Sequence, residues 1–232
     1  MTKRKFLKSI CACVCALTCM FAFGACDMLS SVLPSLQAGQ EEREQIGVIY
    51  ALAEDKQSAK VVGYNGSETA VVVADSYQGV PVTRIDNDAF ALRPIISVHL
   101  PDTVTSIGFS AFYFCTRLQQ ITLSNNLQAI GGSAFENCDL LMQVEIPDSV
   151  KTVGRRAFAN CNGLTSVTFG NSVVYIGSRV FENSRNVTMV TLKQTSGWAS
   201  GNKGFTVEEL SNTATAARYM RVTYFRDGWT RS

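Results

Sequence analysis

The sequence predicts a β-rich α/β solenoid of about five stacked repeats, with a β-hairpin cap before them and an α+β cap after them. Phenylalanines recur about every 23 residues through the middle of the chain, and several other apolar columns keep that period. Short β-prone runs precede this region, and the period is lost near the end of the chain. Self-similarity at a fixed period of 20–50 residues is the signature of units that stack on one another.

The apolar columns appear when successive units are aligned. One column holds Phe90, Phe112, Phe135, Phe158 and Phe181, and the strand-like segments add Val98, Ile121, Val144, Val167 and Val190, followed by Leu100, Leu123, Ile146, Phe169 and Leu192. Each unit presents about six such side chains that it cannot bury alone. Stacking buries them, at roughly 1.5–3 kcal/mol for each large side chain.

Each unit contains a strand and a compact corner. The alternation in "LMQVEI" (residues 141–146) predicts a strand with Val144 inward and Gln143 and Glu145 outward. The segment "SAFENC" (residues 133–138) is interpreted as one short helical turn that carries Phe135 into the core. A glycine follows an Ile or Val in four of the units, and we expect it to permit a tight corner.

These units resemble a known family. "VTSIGFSAFYFCTRLQQITL" and "VKTVGRRAFANCNGLTSVTF" are similar to the BspA-like, treponemal-type class of leucine-rich repeats, and the lead-in "YNGSETAVVVADSYQGVPVTRI" resembles the cap that precedes such arrays. The resemblance covers about residues 48–195. It implies a right-handed leucine-rich repeat superhelix in a bacterial cell-surface setting, with binding of host or neighbouring-cell proteins and no catalytic residue.

Residues 1–25 have the pattern of a lipoprotein signal peptide. A basic start, "MTKRKFLKSI", precedes an apolar run that ends in "FGAC", which resembles the lipobox of bacterial lipoproteins. We therefore expect lipidation of Cys26. Phe23 departs from the usual leucine of a lipobox, so ordinary cleavage giving a secreted protein, or a short uncleaved anchor, stays open. Four further cysteines lie in the leader, and a segment that is removed cannot hold a metal site.

The remaining chain divides by composition into four parts. Residues 26–46 are polar and acidic and are interpreted as a flexible tether, residues 47–78 as an N-terminal β cap, residues 79–195 as the repeat array and residues 196–232 as a C-terminal cap. In the N-terminal cap, three β-prone runs predict a small antiparallel sheet, with a hairpin turn at Asn65-Gly66.

The C-terminal cap is expected to cover the last repeat, because an open solenoid end exposes both core and strand edge. Thr206 and Glu209 have capping-box spacing before a helical segment, and "RVTYF" (residues 221–225) is strand-like. The aromatic residues of this region are interpreted as cap packing, with an aromatic platform for a sugar as the alternative: Trp198, Phe205, Phe225 and Trp229.

Charge excludes nucleic acid as a partner. The formal net charge of the 232 residues is +2, but four of the 21 basic residues lie in the first ten positions. Residues 1–25 contain no acid, so the rest of the chain has 17 basic and 19 acidic residues. Phosphate neutralisation supplies most nucleic-acid affinity, and this chain has no block of Lys or Arg to provide it. A basic cluster of Lys151, Arg155, Arg156 and Arg179 is interpreted as a solvated surface.

No constellation for catalysis or for a metal is found. His99 is the sole histidine, and we place it about 10 Å from Glu145, two repeats away, beyond hydrogen-bonding reach. Three cysteines, Cys115, Cys138 and Cys161, recur at the 23-residue period, but Ser184 takes the equivalent place in the last unit. We therefore interpret them as buried filler. The sequence predicts neither enzyme activity nor a cofactor.

The outward strand face is the predicted ligand-binding surface. Its candidate residues are His99, Gln120, Thr122, Gln143, Glu145, Thr168 and Thr191. The predicted function is that of a lipid-anchored cell-surface protein that mediates adhesion by binding an extracellular or host protein, or a glycan, without catalysis. The alternative is a structural envelope spacer whose faces carry no ligand.

Overall fold

Short strands form two sides of the solenoid in the computed structural model of the chain, which describes residues 47–223 and 226–232. The strands are β1 (Val48–Leu52), β2 (Ala59–Tyr64), β3 (Ala70–Val72), β4 (Ser76–Tyr77), β5 (Val80–Ile85), β6 (Ser97–His99), β7 (Ser106–Ile107), β8 (Gln120–Thr122), β9 (Ala129–Ile130), β10 (Gln143–Glu145), β11 (Thr152–Val153), β12 (Ser166–Phe169), β13 (Tyr175–Ile176), β14 (Met189–Leu192), β15 (Trp198–Ser200), β16 (Lys203–Gly204) and β17 (Trp229–Arg231). The predicted signal peptide and the whole of the predicted tether, with Cys26 at its start, lie outside the described residues.

One ladder runs the full length of the array. Strands β5, β7, β9, β11 and β13 pair in parallel, and the ladder continues at one end into β2 and β1 and at the other into β17, β15 and β16. The other side of the solenoid holds two three-stranded sheets, β3-β6-β8 and β10-β12-β14, and the outward side of the two together is called the strand face below. Each rung of the solenoid therefore contributes one short strand to each side, and the core lies between them.

The N-terminal region differs from the predicted antiparallel sheet. Strands β1 and β2 form the expected hairpin, but β3 does not pair with β2. It pairs in parallel with β6, with Val71 opposite Val98. The hairpin predicted at Asn65-Gly66 is therefore wrong: the chain crosses there to the strand face and supplies a sixth strand, one more than the five repeats predicted.

Stacked phenyl rings form the centre of the core. Phe90 and Phe112 lie 5.0 Å apart between ring centroids, Phe112 and Phe135 5.2 Å, and Phe135 and Phe158 5.3 Å, with interplanar angles of 2–5°. All of these rings are completely buried. The ring spacing nearly matches the roughly 4.8 Å between paired strands, so one rise per rung satisfies both the hydrogen bonds and the ring contacts.

The predicted helical turn at "SAFENC" is wrong. Ser133 and Asn137 have φ of 52° and 63°, in the left-handed region, so the segment is a pair of tight turns around Phe135. Each turn closes with one internal bond, Glu136 N–H to the Ser133 carbonyl at 3.1 Å and Cys138 N–H to the Phe135 carbonyl at 3.3 Å. The N–H groups between them bond to the next rung instead, as Phe135 N–H does to the Ala157 carbonyl at 2.8 Å.

The recurring glycine also has a different cause from the one predicted. Gly154 does not have positive φ, so the corner itself does not require glycine. A Cβ added at Gly154 would lie 2.4 Å from the nitrogen of Gly132 and 2.5 Å from the carbonyl carbon of Gly131. Close approach of successive rungs is what excludes a side chain here.

The C-terminal cap contains two short helices, α1 (Val207–Ser211) and α2 (Thr213–Arg218), and a π-helical turn, Tyr219–Thr223. The capping box of Thr206 and Glu209 is confirmed, since each side chain accepts a bond from the other's backbone N–H. Helix α2 packs against β14 and covers the last rung. The strand predicted at residues 221–225 is wrong for Arg221–Thr223, which belong to the π-helical turn.

The cap aromatics form a small core of their own. Trp198, Phe205 and Trp229 are buried, and the rings of Phe205 and Trp229 stack at 4.4 Å. Trp198 and Trp229 lie 6.4 Å apart. Buried rings cannot offer a face to a sugar, so these three are cap packing and the platform alternative is wrong for them. Phe225 lies outside the described residues.

Replacing Gly154 by alanine is expected to destabilise the array by about 1–3 kcal/mol. The added methyl group would clash with backbone atoms of the preceding rung, which cannot move aside as a flexible side chain can. Urea unfolding followed by circular dichroism measures the change. Gly204→Ala is the matched control: an added Cβ meets nothing within 4 Å there, and we expect a change within about 0.5 kcal/mol. Equal losses in the two variants would contradict close rung packing.

Candidate functional site

The seven predicted binding residues all lie on the strand face. His99, Gln120, Thr122, Gln143, Glu145 and Thr191 are exposed, and Thr168 is half-buried. The register aligns them in rows, with His99 opposite Thr122 and Glu145 opposite Thr168, which is opposite Thr191. The alternation of the strands, read from the sequence, therefore identified the outward residues correctly.

The strand face is interrupted at its centre, which the sequence did not predict. Strands β8 and β10 do not pair, so the face consists of two three-stranded sheets, β3-β6-β8 and β10-β12-β14. Leu100 N–H donates to the Thr122 carbonyl at 2.9 Å, but the equivalent bond from Leu123 N–H to the Glu145 carbonyl is absent. We call this unpaired boundary between β8 and β10 the seam.

A second missing bond marks the other end of the seam. Gln119 N–H donates to the Ile96 carbonyl at 2.8 Å, and Thr165 N–H to the Met142 carbonyl at 2.9 Å. The corresponding bond from Met142 N–H to the Gln119 carbonyl is absent from this described part of the chain. Both edges of the seam therefore present backbone groups without a strand partner.

The seam is confined to the strand face. On the opposite side of the same rungs, β9 pairs in register with both β7 and β11, through Ile130 opposite Ile107 and Val153. At the corner, Phe112 N–H donates to the Ala134 carbonyl at 2.8 Å. The rungs are thus tied together on two sides and separated on the third.

Two clefts with shared walls occupy the seam. The larger, of about 820 Å³, has five of the seven predicted binding residues in its lining: Gln120, Thr122, Gln143, Glu145 and Thr168. The smaller, of about 590 Å³, lies at the end of the seam where β8 and β10 finish. Its lining includes Leu123, Asn125, Asp148 and Lys193. Ile121, Thr122 and Glu145 contribute to both. Five of the seven predicted binding residues therefore line a concavity rather than a flat sheet, and His99 and Thr191 lie outside it.

Apolar side chains are exposed along the seam. Ile121 is only partly buried, whereas the equivalent Val98, Val144 and Val167 in the same inward column are buried. Met142, at the rim of the larger cleft, is 64% exposed. Loss of strand pairing thus brings core-type surface into contact with solvent at this one place on the face.

Acidic groups dominate the charge of the clefts. Glu145 lies in both clefts, Asp139 in the larger and Asp148 in the smaller. Lys193 reaches back from beyond β14 to Asp148 at 3.0 Å and Glu145 at 3.6 Å. Its hydrogen bond lowers the pKa of Asp148 and raises the pKa of Lys193 itself. Sequence reasoning missed Lys193, because it follows the last strand and is 45 residues from its partner.

His99 has no catalytic surroundings in the described part of the chain. It is exposed on β6, beside Thr122 of β8, and lines neither cleft. No group of three or more His, Cys, Asp or Glu side chains within residues 47–223 and 226–232 is close enough to hold a metal ion.

The cysteine column is a hydrogen-bonding column. The thiols of Cys115, Cys138 and Cys161 are completely buried, and each donates to the carbonyl of the phenylalanine on the preceding rung, at 3.0–3.3 Å. Ser184 donates to the Phe158 carbonyl at 2.7 Å in the same way. This shared donor explains why serine replaces cysteine in the last unit. The column is structural, with a polar role that the sequence did not reveal.

Two of the four residues of the basic cluster, Arg156 and Arg179, are paired with glutamates. Arg156 forms ion pairs with Glu136, at 2.6 Å, and with Glu182, and Arg179 lies 3.3 Å from Glu182. Burial acts to raise the pKa of Glu136, but hydrogen bonds from Arg156 and Ser133 outweigh it and the pKa is lowered. These pairs tie adjacent rungs together at the corner, so half of the predicted basic surface is internal bonding.

The stacked rungs, the outward polar face and the terminal caps define a leucine-rich repeat protein. The model of the BspA type leucine rich repeat region matches six copies over residues 83–200, half of the chain. The chain therefore belongs to the BspA-type leucine-rich repeat family, as its repeat units predicted, with six copies in place of about five. No curated protein matches the sequence.

The chain is similar to several solved structures of leucine-rich repeat proteins. A leucine-rich repeat protein of T. pallidum is 33% identical, with a TM-score of 0.61, over 62% of this chain and 68% of its own. A leucine-rich repeat protein from Bacteroides capillosus is 32% identical, with a TM-score of 0.49, over 53% of this chain and 94% of its own. A leucine rich cell surface protein from Faecalibacterium prausnitzii is 23% identical, with a TM-score of 0.39, over 66% of this chain and 54% of its own.

Proteins of this family are typically exported or found at the cell surface. Within residues 47–223 and 226–232, no helix has the length and apolar content needed to cross a membrane.

Serine in place of all three array cysteines is expected to reduce the loss of stability at alkaline pH. Burial raises the pKa of Cys115 and Cys161 to about 12, whereas an unfolded thiol ionises near 8.5. The contribution of each thiol is therefore fully present below about pH 8.5 and is lost progressively as the pH rises toward the folded pKa.

Urea unfolding at pH 7.5 and pH 10 measures this effect. Between these pH values, wild type should lose on the order of 2 kcal/mol per thiol more than the triple serine variant. Lysine and tyrosine titrate alike in both proteins, so their contribution cancels in the comparison. The same loss in both proteins would contradict protonated, buried thiols.

Proposed function

We propose that this chain is an exported protein, held at a bacterial cell surface by a lipid on Cys26, that binds an extracellular or host protein through the strand face. The observation that carries this proposal is the position of the clefts. They lie at the centre of the outward face and are lined by the residues that the repeat pattern marks as outward.

The chemistry of this face supports binding of a macromolecule. Solenoids commonly bind through extended surfaces built by successive repeats. Here short polar side chains surround an opening with exposed apolar surface, contributed by Ile121, Leu140 and Met142. Apolar contact at the centre with polar groups around it is the usual composition of a protein-binding surface.

Catalysis is not part of the proposal. Ordinary turnover needs a nucleophile or a general base with a second group in hydrogen-bonding reach. His99 is exposed outside the clefts, and the three array thiols are buried and protonated. A glycan ligand, and a spacer without a ligand, are the outcomes that the binding experiment below distinguishes.

The anchor is tested by metabolic labelling with radioactive palmitate. Wild type should incorporate the label and fractionate with membranes, whereas Cys26→Ala should do neither, because the modified thiol is gone. Cys138→Ser is the matched control and should keep the label, since that thiol is buried in the array. Label retained in Cys26→Ala, or absent from all three proteins, would contradict lipidation of Cys26.

The binding face is tested with the double variant Thr122→Lys/Glu145→Lys, screened against immobilised extracellular-matrix proteins and a glycan array. Two lysines at the seam should weaken binding of a protein partner at least ten-fold while the fold, checked by circular dichroism, is unchanged. Glu54→Lys, on the exposed turn of the N-terminal hairpin, controls for altered charge. Binding that is indifferent to the double variant contradicts this site, and a clean negative for wild type favours the spacer.

A further inference from the structure

The unpaired backbone groups at the seam are suited to pairing with one more strand. Elsewhere on the strand face, neighbouring strands pair backbone to backbone, as β3, β6 and β8 do, and β10, β12 and β14. At the seam, the N–H groups of Leu123 and Met142 and the carbonyls of Gln119 and Glu145 have no strand partner. These groups lie on two edges of the same face, and both edges reach the solvent-filled clefts between them.

Backbone groups of this kind favour an extended partner. An unpaired strand edge is a template for a further strand, which supplies the missing donors and acceptors along its whole length. Strand addition gives affinity through the main chain and specificity through alternate side chains. A globular surface or a sugar would satisfy these regularly spaced groups less completely.

Charge indicates which extended segment fits. The two clefts contain the carboxylates of Asp139, Glu145 and Asp148 against the single ammonium of Lys193. The Glu145 side chain is 75% exposed, and its only ion pair in the described chain is the 3.6 Å contact with Lys193. A net negative site attracts and retains a basic partner.

Apolar contacts add a second requirement. Leu140 and Met142 are 46% and 64% exposed at the rim of the larger cleft, beside the partly buried Ile121. An extended segment has side chains on both of its faces, so one set would contact these residues while the other points to solvent. The site therefore suits a segment that carries both apolar and basic side chains.

We infer that the seam between β8 and β10 binds an extended, basic peptide segment of the partner protein, which adds its backbone to the free strand edges. This inference rests on the proposed function, since it specifies the partner of the same face. It assigns Leu123, Met142, Gln119 and Glu145 a backbone role in binding, and the Glu145 carboxylate an electrostatic one.

Hydrogen exchange tests the seam in the free full-length protein. The amides of Leu123 and Met142 should exchange much faster than those of Leu100 and Ile146, which have strand partners at 2.9 and 2.8 Å. Leu100 and Ile146 occupy the place of Leu123 on the neighbouring rungs, and Gln119 and Thr165, bonded at 2.8 and 2.9 Å, occupy the place of Met142. Equal protection of the seam amides and these paired amides would mean that β8 and β10 pair, and would overturn the inference.

The ligand class is tested with a displayed library of linear 12-residue peptides, selected against the full-length protein. The enriched peptides should have net positive charge, and the tightest should slow exchange at Leu123 and Met142. Its affinity should fall at least ten-fold for Glu145→Lys and stay within two-fold for Glu54→Lys. Enrichment of acidic or neutral peptides, or no effect of Glu145→Lys, would overturn the inference.

Methylation of the peptide backbone separates strand addition from side-chain docking. N-methylation removes amide donors without changing side chains, so at least one of the two alternate sets of methylated residues should weaken binding ten-fold or more. Unchanged binding for both sets would overturn the inference.

Failure of the inference and failure of the proposed function give different results. If no peptide is enriched but matrix proteins bind and lose binding in Thr122→Lys/Glu145→Lys, the strand-addition inference is wrong and the binding face stands. If neither peptides nor matrix proteins bind, both are wrong.

Discussion

The rise from one rung to the next is the constraint on which this structure depends. Paired strands require about 4.8 Å per rung, and the phenyl rings of Phe90, Phe112, Phe135 and Phe158 stack at 5.0–5.3 Å. Because both interactions have nearly the same repeat distance, neither is strained by the other. Every other contact between rungs has to fit this spacing, which explains why each aligned column accepts only a few residue types.

The contacts between rungs show how narrow those choices are. Gly154 is glycine because the backbone of the preceding rung lies where a Cβ would be. Cys161 and Ser184 interchange because the column needs a small donor to the preceding rung's carbonyl. At the corner, Arg156 bridges Glu136 and Glu182. A repeat protein gains its stability from nearest-neighbour interfaces, so these columns matter more to the fold than contacts within one unit.

The seam is the one place on the strand face where this spacing is not kept. The ladder on the opposite side and the corner turns continue without a break, so the rungs stay joined while β8 and β10 separate. The same arrangement exposes Ile121 and places Glu145 at the wall of both clefts. Unpaired backbone, exposed apolar surface and net negative charge therefore coincide, and this coincidence gives the face a defined site for a partner instead of a uniform polar surface.

The sequence by itself determined the repeat, the inward columns and the outward candidates such as Thr122 and Glu145, because side-chain alternation in a strand is a local property with a period of two. The capping box at Thr206 was readable for the same reason. Only the tertiary structure decided that β3 joins the strand face, that "SAFENC" bonds between rungs and that the face splits at the seam. Each of these depends on which backbone groups meet across 20 or more residues of chain. A local sequence pattern does not indicate that a particular strand pairing fails to form.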